Sequence, residues 1–286
     1  MSKLVIILFF GPRPASNLAD GLSLTILFAL GLSACANLPA ASSTRVVDRQ
    51  VEITQIDRGA SVVVFENGLG ASMDMWNRVF PEVAKRTTVF AYNRPSYGDS
   101  DAVVTPRDGA HIVDELRALL RARGLTPPYV LVGHSLGGLY MQLFARKYPN
   151  EVAGLVLVDS THPKQFEGAA AVENQSWWVR SVFSLFLSAG QRQAEFDSLS
   201  ITGEQVLALP TLTGKPVIVL SAIDKRDNPF VKLANEKRAD FARLYPECKQ
   251  IWVDSGHMIP RERPEAVITA INDVIEQVHR NGNALH

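Results

Sequence analysis

The segment Tyr129–Gly138 constrains this chain more than any other part of its sequence. It reads Tyr-Val-Leu-Val-Gly-His-Ser-Leu-Gly-Gly, an apolar run that ends at a serine between glycines and leads into a helical pattern over residues 138–148. The spacing predicts a buried strand, a sharp turn centred on Ser135, and a helix. Because Gly133 and Gly137 carry no Cβ, the two arms of such a turn can approach closely. The turn would project the Ser135 hydroxyl above the end of the strand.

The rest of the chain after residue 50 alternates between short apolar runs and helical patterns. Continuous runs of Val, Ile and Leu are typical of strands buried on both faces. The predicted strands are residues 51–56, 62–65, 88–92, 129–132, 155–158, 217–220 and 251–253, and the predicted helices are 111–123, 138–148, 229–244 and 264–278. This order predicts an α/β fold with a mostly parallel central sheet and helices on both of its faces.

One long stretch, residues 160–213, interrupts the alternation because it contains no clear strand. It carries an apolar helical pattern that includes Trp177, Trp178, Phe183 and residues 185–187. We expect a small helical cap insertion over the carboxyl edge of the sheet, where open α/β sheets bind ligands. An apolar cap favours an uncharged or partly apolar substrate.

Charge and cysteine content exclude several classes of protein. The chain has 29 Lys plus Arg and 29 Asp plus Glu, so it lacks the basic excess of a nucleic-acid-binding protein. Its two cysteines exclude a disulfide framework and a four-cysteine zinc site. Neither a His-Glu-x-x-His metal motif nor a phosphate-binding Gly-x-x-x-x-Gly-Lys-Ser/Thr loop occurs. We therefore expect no metal, no organic cofactor and no nucleic-acid partner.

The first 49 residues differ from the rest of the chain. The apolar run Leu22–Leu32 is about 11 residues long, too short for a bilayer span but typical of a signal peptide. Leu-Ser-Ala-Cys35 follows and resembles a bacterial lipobox, which implies cleavage after residue 34, lipid on Cys35 and a tether over residues 35–49. In a host that has an outer membrane, Ala36 then implies sorting to that membrane, which the protein contacts only through the lipid. An uncleaved anchor, ordinary secretion and a cytoplasmic protein whose true start lies after Met1 are the alternatives.

Beyond the turn at Ser135, three segments resemble the α/β-hydrolase superfamily. They are Glu66–Ser72, Asn93–Ser100, and Ser255–His257 followed by Glu-Arg-Pro-Glu at 262–265. With the Gly-His-Ser-Leu-Gly turn, the resemblance covers most of residues 50–280. It implies the α/β-hydrolase fold, with Ser135 as nucleophile. The chain departs from the usual pattern at three positions, where Asn67, Asn93 and Ser96 replace His, Asp and Gly.

A serine nucleophile needs a general base within hydrogen-bond reach. Of the six histidines, His257 follows the last predicted strand and matches the terminal histidine segment of the superfamily. His134 lies inside the turn with its side chain directed away from Ser135. The remaining candidates belong to a helix, a strand end or the carboxyl-terminal tail: His111, His162, His279 and His286. The sequence therefore predicts His257 as the base.

The acid that orients the base remains open between three aspartates. Asp159 ends the strand after the nucleophile helix, a position that some branches of the superfamily use for the acid. Asp224 lies at the commoner place after the next strand, but the usual Gly-x-x-Asp signature is absent there. Asp227 follows closely. The spacing favours Asp159, with Asp224 as the alternative.

The oxyanion hole is expected to use the backbone N–H groups of Leu136, directly after the nucleophile, and of Leu69, in the glycine-rich segment. The resemblance implies an enzyme that cleaves a carboxylic ester through an acyl-enzyme. Ser135 argues against haloalkane dehalogenases and epoxide hydrolases, which use Asp as nucleophile. Lipase, thioesterase, lactonase, amidase, C–C hydrolase and perhydrolase or haloperoxidase chemistry stay open, as does a non-catalytic binding protein of the same fold.

Overall fold

The computed structural model describes residues 38, 41–46, 48–165, 190–225 and 229–283. Its strands are β1 (Ser42–Val46), β2 (Arg49–Ile56), β3 (Val62–Glu66), β4 (Thr88–Tyr92), β5 (Tyr129–His134), β6 (Val152–Val158), β7 (Val217–Ala222) and β8 (Lys249–Val253). Its α-helices are α1 (Phe80–Val83), α2 (Gly109–Ala122), α3 (Leu136–Lys147), α4 (Gln191–Asp197), α5 (Leu199–Leu207), α6 (Pro229–Ala239), α7 (Phe241–Leu244), α8 (Ile259–Glu262) and α9 (Pro264–Asn283).

These strands form one eight-stranded sheet in the order β1-β2-β4-β3-β5-β6-β7-β8. Strands β3 to β8 run parallel to one another, while β2 is antiparallel to both β1 and β4. From β3 the chain first adds β4 on one side and then crosses to add β5 on the other. The loops after β3 and β5 therefore leave the sheet side by side, at the kind of switch point where α/β sheets bind ligands.

Two apolar layers cover the two faces of the sheet. In β3, Val62 and Val64 belong to one buried cluster, whereas Val63 and Phe65 belong to the other, as the two-residue period of a strand requires. Helices α2 and α3 contribute to the first cluster, and α1 and α9 contribute to the second. The α/β architecture and the mostly parallel sheet predicted from the sequence are confirmed.

The structure differs from the predicted tether at residues 35–49. Ser42–Val46 is an edge strand that pairs with β2 in register Ser42 to Ile53. Leu38 is buried, and its backbone N–H donates a hydrogen bond to Asp74 Oδ1 over 3.1 Å. The folded domain therefore begins before residue 50. Pairing along the open edge of β2 and the burial of Leu38 and Val46 order this segment.

Part of the predicted cap insertion is described. Helices α4 and α5 fall within residues 160–213, and α5 packs on α2, where the Gly109 N–H donates to Thr202 Oγ1 over 2.8 Å. Residues 166–189, which hold the predicted Trp177 and Trp178, lie outside the described residues. So do the predicted signal peptide, residues 1–34, and Cys35. Over the part of the chain that is described, no helix has the length and apolar character needed to cross a membrane.

Candidate active site

Ser135 lies in the sharp turn that the sequence predicts between β5 and α3. Its backbone has φ 53° and ψ −124°, a left-handed conformation that a non-glycine residue rarely adopts. Three backbone hydrogen bonds hold it there: its N–H donates to Val158 O (3.1 Å), and its carbonyl accepts from Gly138 N and Thr161 N (2.9 Å each). The strain at Ser135 is thus maintained by β6, by the residues that follow β6, and by α3.

The two glycines that flank Ser135 allow close approaches. A Cβ on Gly133 would lie 2.6 Å from the carbonyl oxygen of Gly137, so the two arms of the turn could not close. A Cβ on Gly137 would lie 2.5 Å from the carbonyl oxygens of both Glu66 and Asn67. The turn therefore packs directly against the start of residues 67–72, called here the β3 loop.

His257 and Asp159 are brought together by the structure. Asp159 follows β6, and its Oδ2 lies 2.6 Å from His257 Nδ1. A carboxylate can only accept this bond, so His257 carries its proton on Nδ1 and leaves Nε2 as an acceptor. Asp224, the alternative acid, instead follows β7, where its backbone carbonyl oxygen accepts a hydrogen bond from Asn235 Nδ2 over 3.1 Å. Asp227 lies outside the described residues.

The Asp159 carboxylate is almost fully buried and strongly hydrogen-bonded. Oδ1 accepts from Ala222 N (3.0 Å) and Arg238 Nε (2.7 Å), while Arg238 Nη2 donates to Oδ2 over 2.9 Å. Burial alone would raise the pKa of Asp159, but the hydrogen bonds from His257 and Arg238 and the positive charge of Arg238 hold that pKa well below its ordinary value. Asp159 is therefore an anion at neutral pH.

His134 joins the turn to the loop that carries His257. Its Nε2–H donates to the carbonyl oxygen of His257 over 2.9 Å, and the two rings lie 4.7 Å apart. Burial and the neighbouring His257 lower the pKa of His134 to about 3, so it is neutral at pH 7. From the other side, Glu262 Oε2 accepts from Gly256 N over 2.7 Å. Both contacts hold His257 beside the turn, while half of its side chain stays exposed.

The two predicted oxyanion donors belong to segments that meet at Ser135. Leu136 is the first residue of α3, where a backbone N–H has no acceptor within its own helix. Leu69 belongs to the β3 loop, which approaches Ser135 so closely that a Cβ on Gly68 would lie 3.3 Å from Ser135 Cβ. The geometry brings the loop that carries Leu69 next to the serine. Such an arrangement can stabilise negative charge on an oxygen bound near Ser135.

The three departures from the superfamily pattern have structural explanations. Asn67 Nδ2 donates to Tyr92 O (2.7 Å), and Trp76 Nε1 donates to Asn67 Oδ1 (2.9 Å). Asn93 Oδ1 accepts from the backbone N–H of residue 73 over 2.7 Å. Ser96 has φ 65°, a left-handed conformation that explains why glycine is usual at this position. These residues shape the loops around the site.

The other histidines of the described chain have partners elsewhere. His111 Nδ1 pairs with Asp108, His162 Nε2 with Asp240 (3.1 Å), and His279 Nε2 with the Ser61 hydroxyl (3.0 Å); His286 is not among the described residues. Within the described ranges, no three His, Cys, Asp or Glu side chains form a group that could hold a metal ion.

Sequence reasoning missed Arg238 and Glu195. Arg238 binds Asp159 from α6, and Glu195 of α4 forms an ion pair with Arg94, 2.9 Å away. No motif marks either residue. The only available signal was Arg94, which lies inside a segment already noted for its resemblance.

Comparison with known proteins places the chain in a family. The alpha/beta hydrolase fold family matches residues 61–202. The uncharacterized protein YqjL of Bacillus subtilis is 33% identical over 236 residues, which cover 81% of this chain and 90% of that protein. A (lyso)-N-acylphosphatidylethanolamine lipase of Mus musculus is 27% identical over 139 residues, 47% of this chain and 41% of the lipase.

Solved structures agree on the fold. A candidate lipase, lip1, from Acinetobacter baumannii AYE has a TM-score of 0.67 at 23% identity, and the match covers 86% of this chain and 94% of lip1. Similar structures also include an esterase, a haloalkane dehalogenase and an epoxide hydrolase, so the likeness by itself selects no single reaction. Together with the strained serine turn and its sheet, these matches show that the chain belongs to the alpha/beta hydrolase fold family.

Proposed function

We propose that this protein is a serine hydrolase that cleaves a carboxylic ester of a small or medium-sized uncharged molecule. One observation carries the proposal: a histidine whose Nδ1 is held by a buried aspartate is bonded through its carbonyl oxygen to His134, the residue that precedes the serine of the strained turn. Ser135, His257 and Asp159 then act as nucleophile, base and acid. Asp159, and not the alternative Asp224, is the acid in this scheme because His257 Nδ1 bonds Asp159.

The reaction proceeds in two halves. His257 Nε2 takes the Ser135 proton as Oγ attacks the ester carbonyl, and the carbonyl oxygen becomes an oxyanion. The backbone N–H groups of Leu69 and Leu136 stabilise that oxyanion. Collapse of the intermediate breaks the ester C–O bond, and His257 gives its proton to the leaving alcohol. Water then attacks the acyl-serine by the same steps, so that one ester and one water yield one acid and one alcohol.

Asp159 supports each proton transfer without accepting a proton. The low pKa of Asp159 keeps it anionic, so it fixes the Nδ1–H tautomer and stabilises the imidazolium as it forms. A serine nucleophile also separates this chain from relatives of the same fold that attack through a carboxylate. The lipase among its relatives supports an ester as the bond that is cleaved.

An ester panel tests the proposal. Purified full-length protein is assayed with p-nitrophenyl esters of increasing acyl length, in parallel with Ser135→Ala. We expect turnover by the wild type and a loss of about 10⁴–10⁶ in kcat for the variant. The matched control is Ser61→Ala, because the Ser61 hydroxyl bonds the imidazole of His279 but lies outside the turn. Turnover that survives in Ser135→Ala, or none in the wild type, contradicts the proposal.

We further propose that the catalytic domain acts in the cell envelope, outside the cytoplasm. Support comes from the sequence alone, namely the apolar run Leu22–Leu32 and the lipobox-like Leu-Ser-Ala-Cys35. Lipid on Cys35 would be its only membrane contact.

A further inference from the structure

A buried ion cluster lies beneath the β3 loop, with Arg94 at its centre. All five N–H groups of Arg94 have acceptors. Nε and Nη2 donate to the two carboxylate oxygens of Glu195 (2.9 Å each), and Nη1 donates to Glu66 Oε1 and to Asn67 O (2.6 Å each). Nη2 also donates to Gly68 O over 2.9 Å. A guanidinium that is 1% exposed thus grips two consecutive carbonyls of the β3 loop.

The contact at Gly68 sets the direction of the proposed oxyanion donor. The carbonyl of Gly68 and the N–H of Leu69 belong to the same trans peptide group, so they point in opposite directions. Arg94 therefore turns the Leu69 N–H away from the cluster. The positively charged guanidinium that bonds the Gly68 carbonyl oxygen also polarises this peptide group and strengthens the Leu69 N–H as a donor. On the far side of Leu69, Gly70 N donates to the Tyr97 hydroxyl over 3.2 Å.

Glu195 binds both of the residues that hold the loop. Besides Arg94, its Oε2 accepts from the Tyr97 hydroxyl over 3.0 Å. Burial raises the pKa of Tyr97 to about 12, so this hydroxyl keeps its proton and donates it. Glu195 itself is 1% exposed, and it comes from α4 in the cap insertion rather than from the sheet. A single cap carboxylate is thus bonded to the residues that fix the peptides on both sides of Leu69.

We propose that Glu195 is a positioning residue for the reaction: by orienting Arg94 and Tyr97, it holds the Leu69 N–H toward the oxyanion. The inference rests on the proposed function, because it assigns a task within that site. It also gives the cap a catalytic consequence, since the oxyanion donor is fully aligned only while α4 is packed against the β3 loop.

The first test is Glu195→Gln in the full chain. An amide matches the carboxylate in shape, but its NH2 group faces a donor of Arg94, so the guanidinium loses one acceptor and one of its two carboxylate partners, while Glu66 remains. Removing an oxyanion donor outright costs about 10²–10³ in kcat. For a misaligned donor we expect a loss of about 10–100-fold in kcat, with KM little changed. A raised KM with an unchanged kcat contradicts the inference.

A second readout separates positioning from general damage. A trifluoromethyl ketone is attacked by Ser135 Oγ while His257 takes the hydroxyl proton, and the former carbonyl oxygen becomes an oxyanion. Its Ki should weaken in Glu195→Gln by the same factor as kcat/KM, because both report on the oxyanion. Binding of the matched methyl ketone should stay unchanged. Equal weakening of both ketones would overturn the assignment.

The matched control is Glu151→Gln. Glu151 also forms a multidentate pair with an arginine, Arg117 Nε at 2.9 Å, but it lies just before β6, at the end of the strand opposite to the site. The substitution should leave both kcat and the Ki of the trifluoromethyl ketone within about twofold of the wild-type values, since the partners of Glu151 are Arg117 and Arg121 and not residues of the β3 loop.

Tyr97→Phe keeps the test decisive if Glu195→Gln does not fold. It removes only the hydroxyl, and we expect a loss of about 3–10-fold in kcat, an effect of one hydrogen bond, with faster amide hydrogen exchange across residues 67–72. Unchanged kcat and exchange in this variant would overturn the inference. The two proposals fail differently: a wild type without ester turnover removes the proposed function, whereas an active wild type with fully active variants removes only the role of Glu195.

Discussion

Replacing Asp159 by asparagine exchanges one carboxylate oxygen for an NH2 group at nearly constant volume. Oδ1 faces two donors, Ala222 N and Arg238 Nε, so the oxygen of the amide must stay there. The NH2 group then occupies the place of Oδ2 and faces His257 Nδ1. Two donors cannot share that contact, and His257 must move its proton to Nε2, where it can no longer accept the proton of Ser135.

The expected loss follows from this tautomer. A base with the wrong tautomer costs about 10³–10⁴ in kcat, or about 4–5.5 kcal/mol in the activation barrier. The variant also removes the negative charge of Asp159 from beside Arg238. Because Arg238 keeps Asn235 Oδ1 as an acceptor and is 15% exposed, we expect a loss of only about 1–3 kcal/mol in the free energy of unfolding. The domain should therefore remain folded at room temperature.

The assay compares Asp159→Asn with Asp224→Asn on the same ester, with unfolding midpoints measured for both. Asp224→Asn should keep kcat within about tenfold of the wild type, since its carboxylate is not the partner of His257. Both variants are needed because a nearby carboxylate can partly replace a lost one. An inactive Asp224→Asn beside an active Asp159→Asn would refute the reasoning.

Three further predictions concern other parts of the chain. Because His134 stays neutral in the folded protein (pKa about 3) while the unfolded chain binds a proton there below about pH 6.5, the contribution of His134 to stability should fall by about 1.4 kcal/mol per pH unit between about pH 6.5 and about pH 3; the free energy of unfolding, measured by chemical denaturation, should therefore fall less steeply for His134→Gln. Cys248 should be one free thiol whose pKa burial raises, titrating fully only after denaturation. Cys35 should be the lipid-bearing mature N-terminus; an unmodified peptide across residues 30–40 in a mass spectrum of the native protein would contradict this.

The parallel strands could be predicted because their residues are apolar on both faces. A run such as Val62–Phe65 has few alternatives to a buried position between two helical layers. The ends of the strands were less certain. β5 continues to His134, two residues beyond its predicted end, and β6 begins at Val152, three residues before its predicted start. β1 escaped prediction because Val46 is the only one of its five residues that is buried, so its order depends mainly on pairing along the edge of β2.

The site was predictable to the extent that local sequence determines geometry. The turn at Ser135 depends on neighbouring glycines and is therefore visible as a motif. The contact between Asp159 and His257 joins residues 98 positions apart, so the sequence could favour Asp159 over Asp224 only through the spacing of motifs. Arg238 pairs with Asp159 across 79 positions, and Glu195 pairs with Arg94 across 101 positions. Neither residue belongs to a recognisable motif. Their roles depend on how α6 and α4 pack, which no local pattern encodes.

The most direct measurement of the central claim is to map the site of a covalent serine probe. The intact protein is treated with a fluorophosphonate, digested, and searched by mass spectrometry for the modified residue, with Ser135→Ala treated in parallel. We predict one stoichiometric adduct on the peptide that contains Ser135 and no adduct in the variant, because a serine next to a base and oxyanion donors reacts with the probe far faster than an ordinary serine. An adduct on another serine, or labelling that persists in Ser135→Ala, would contradict it.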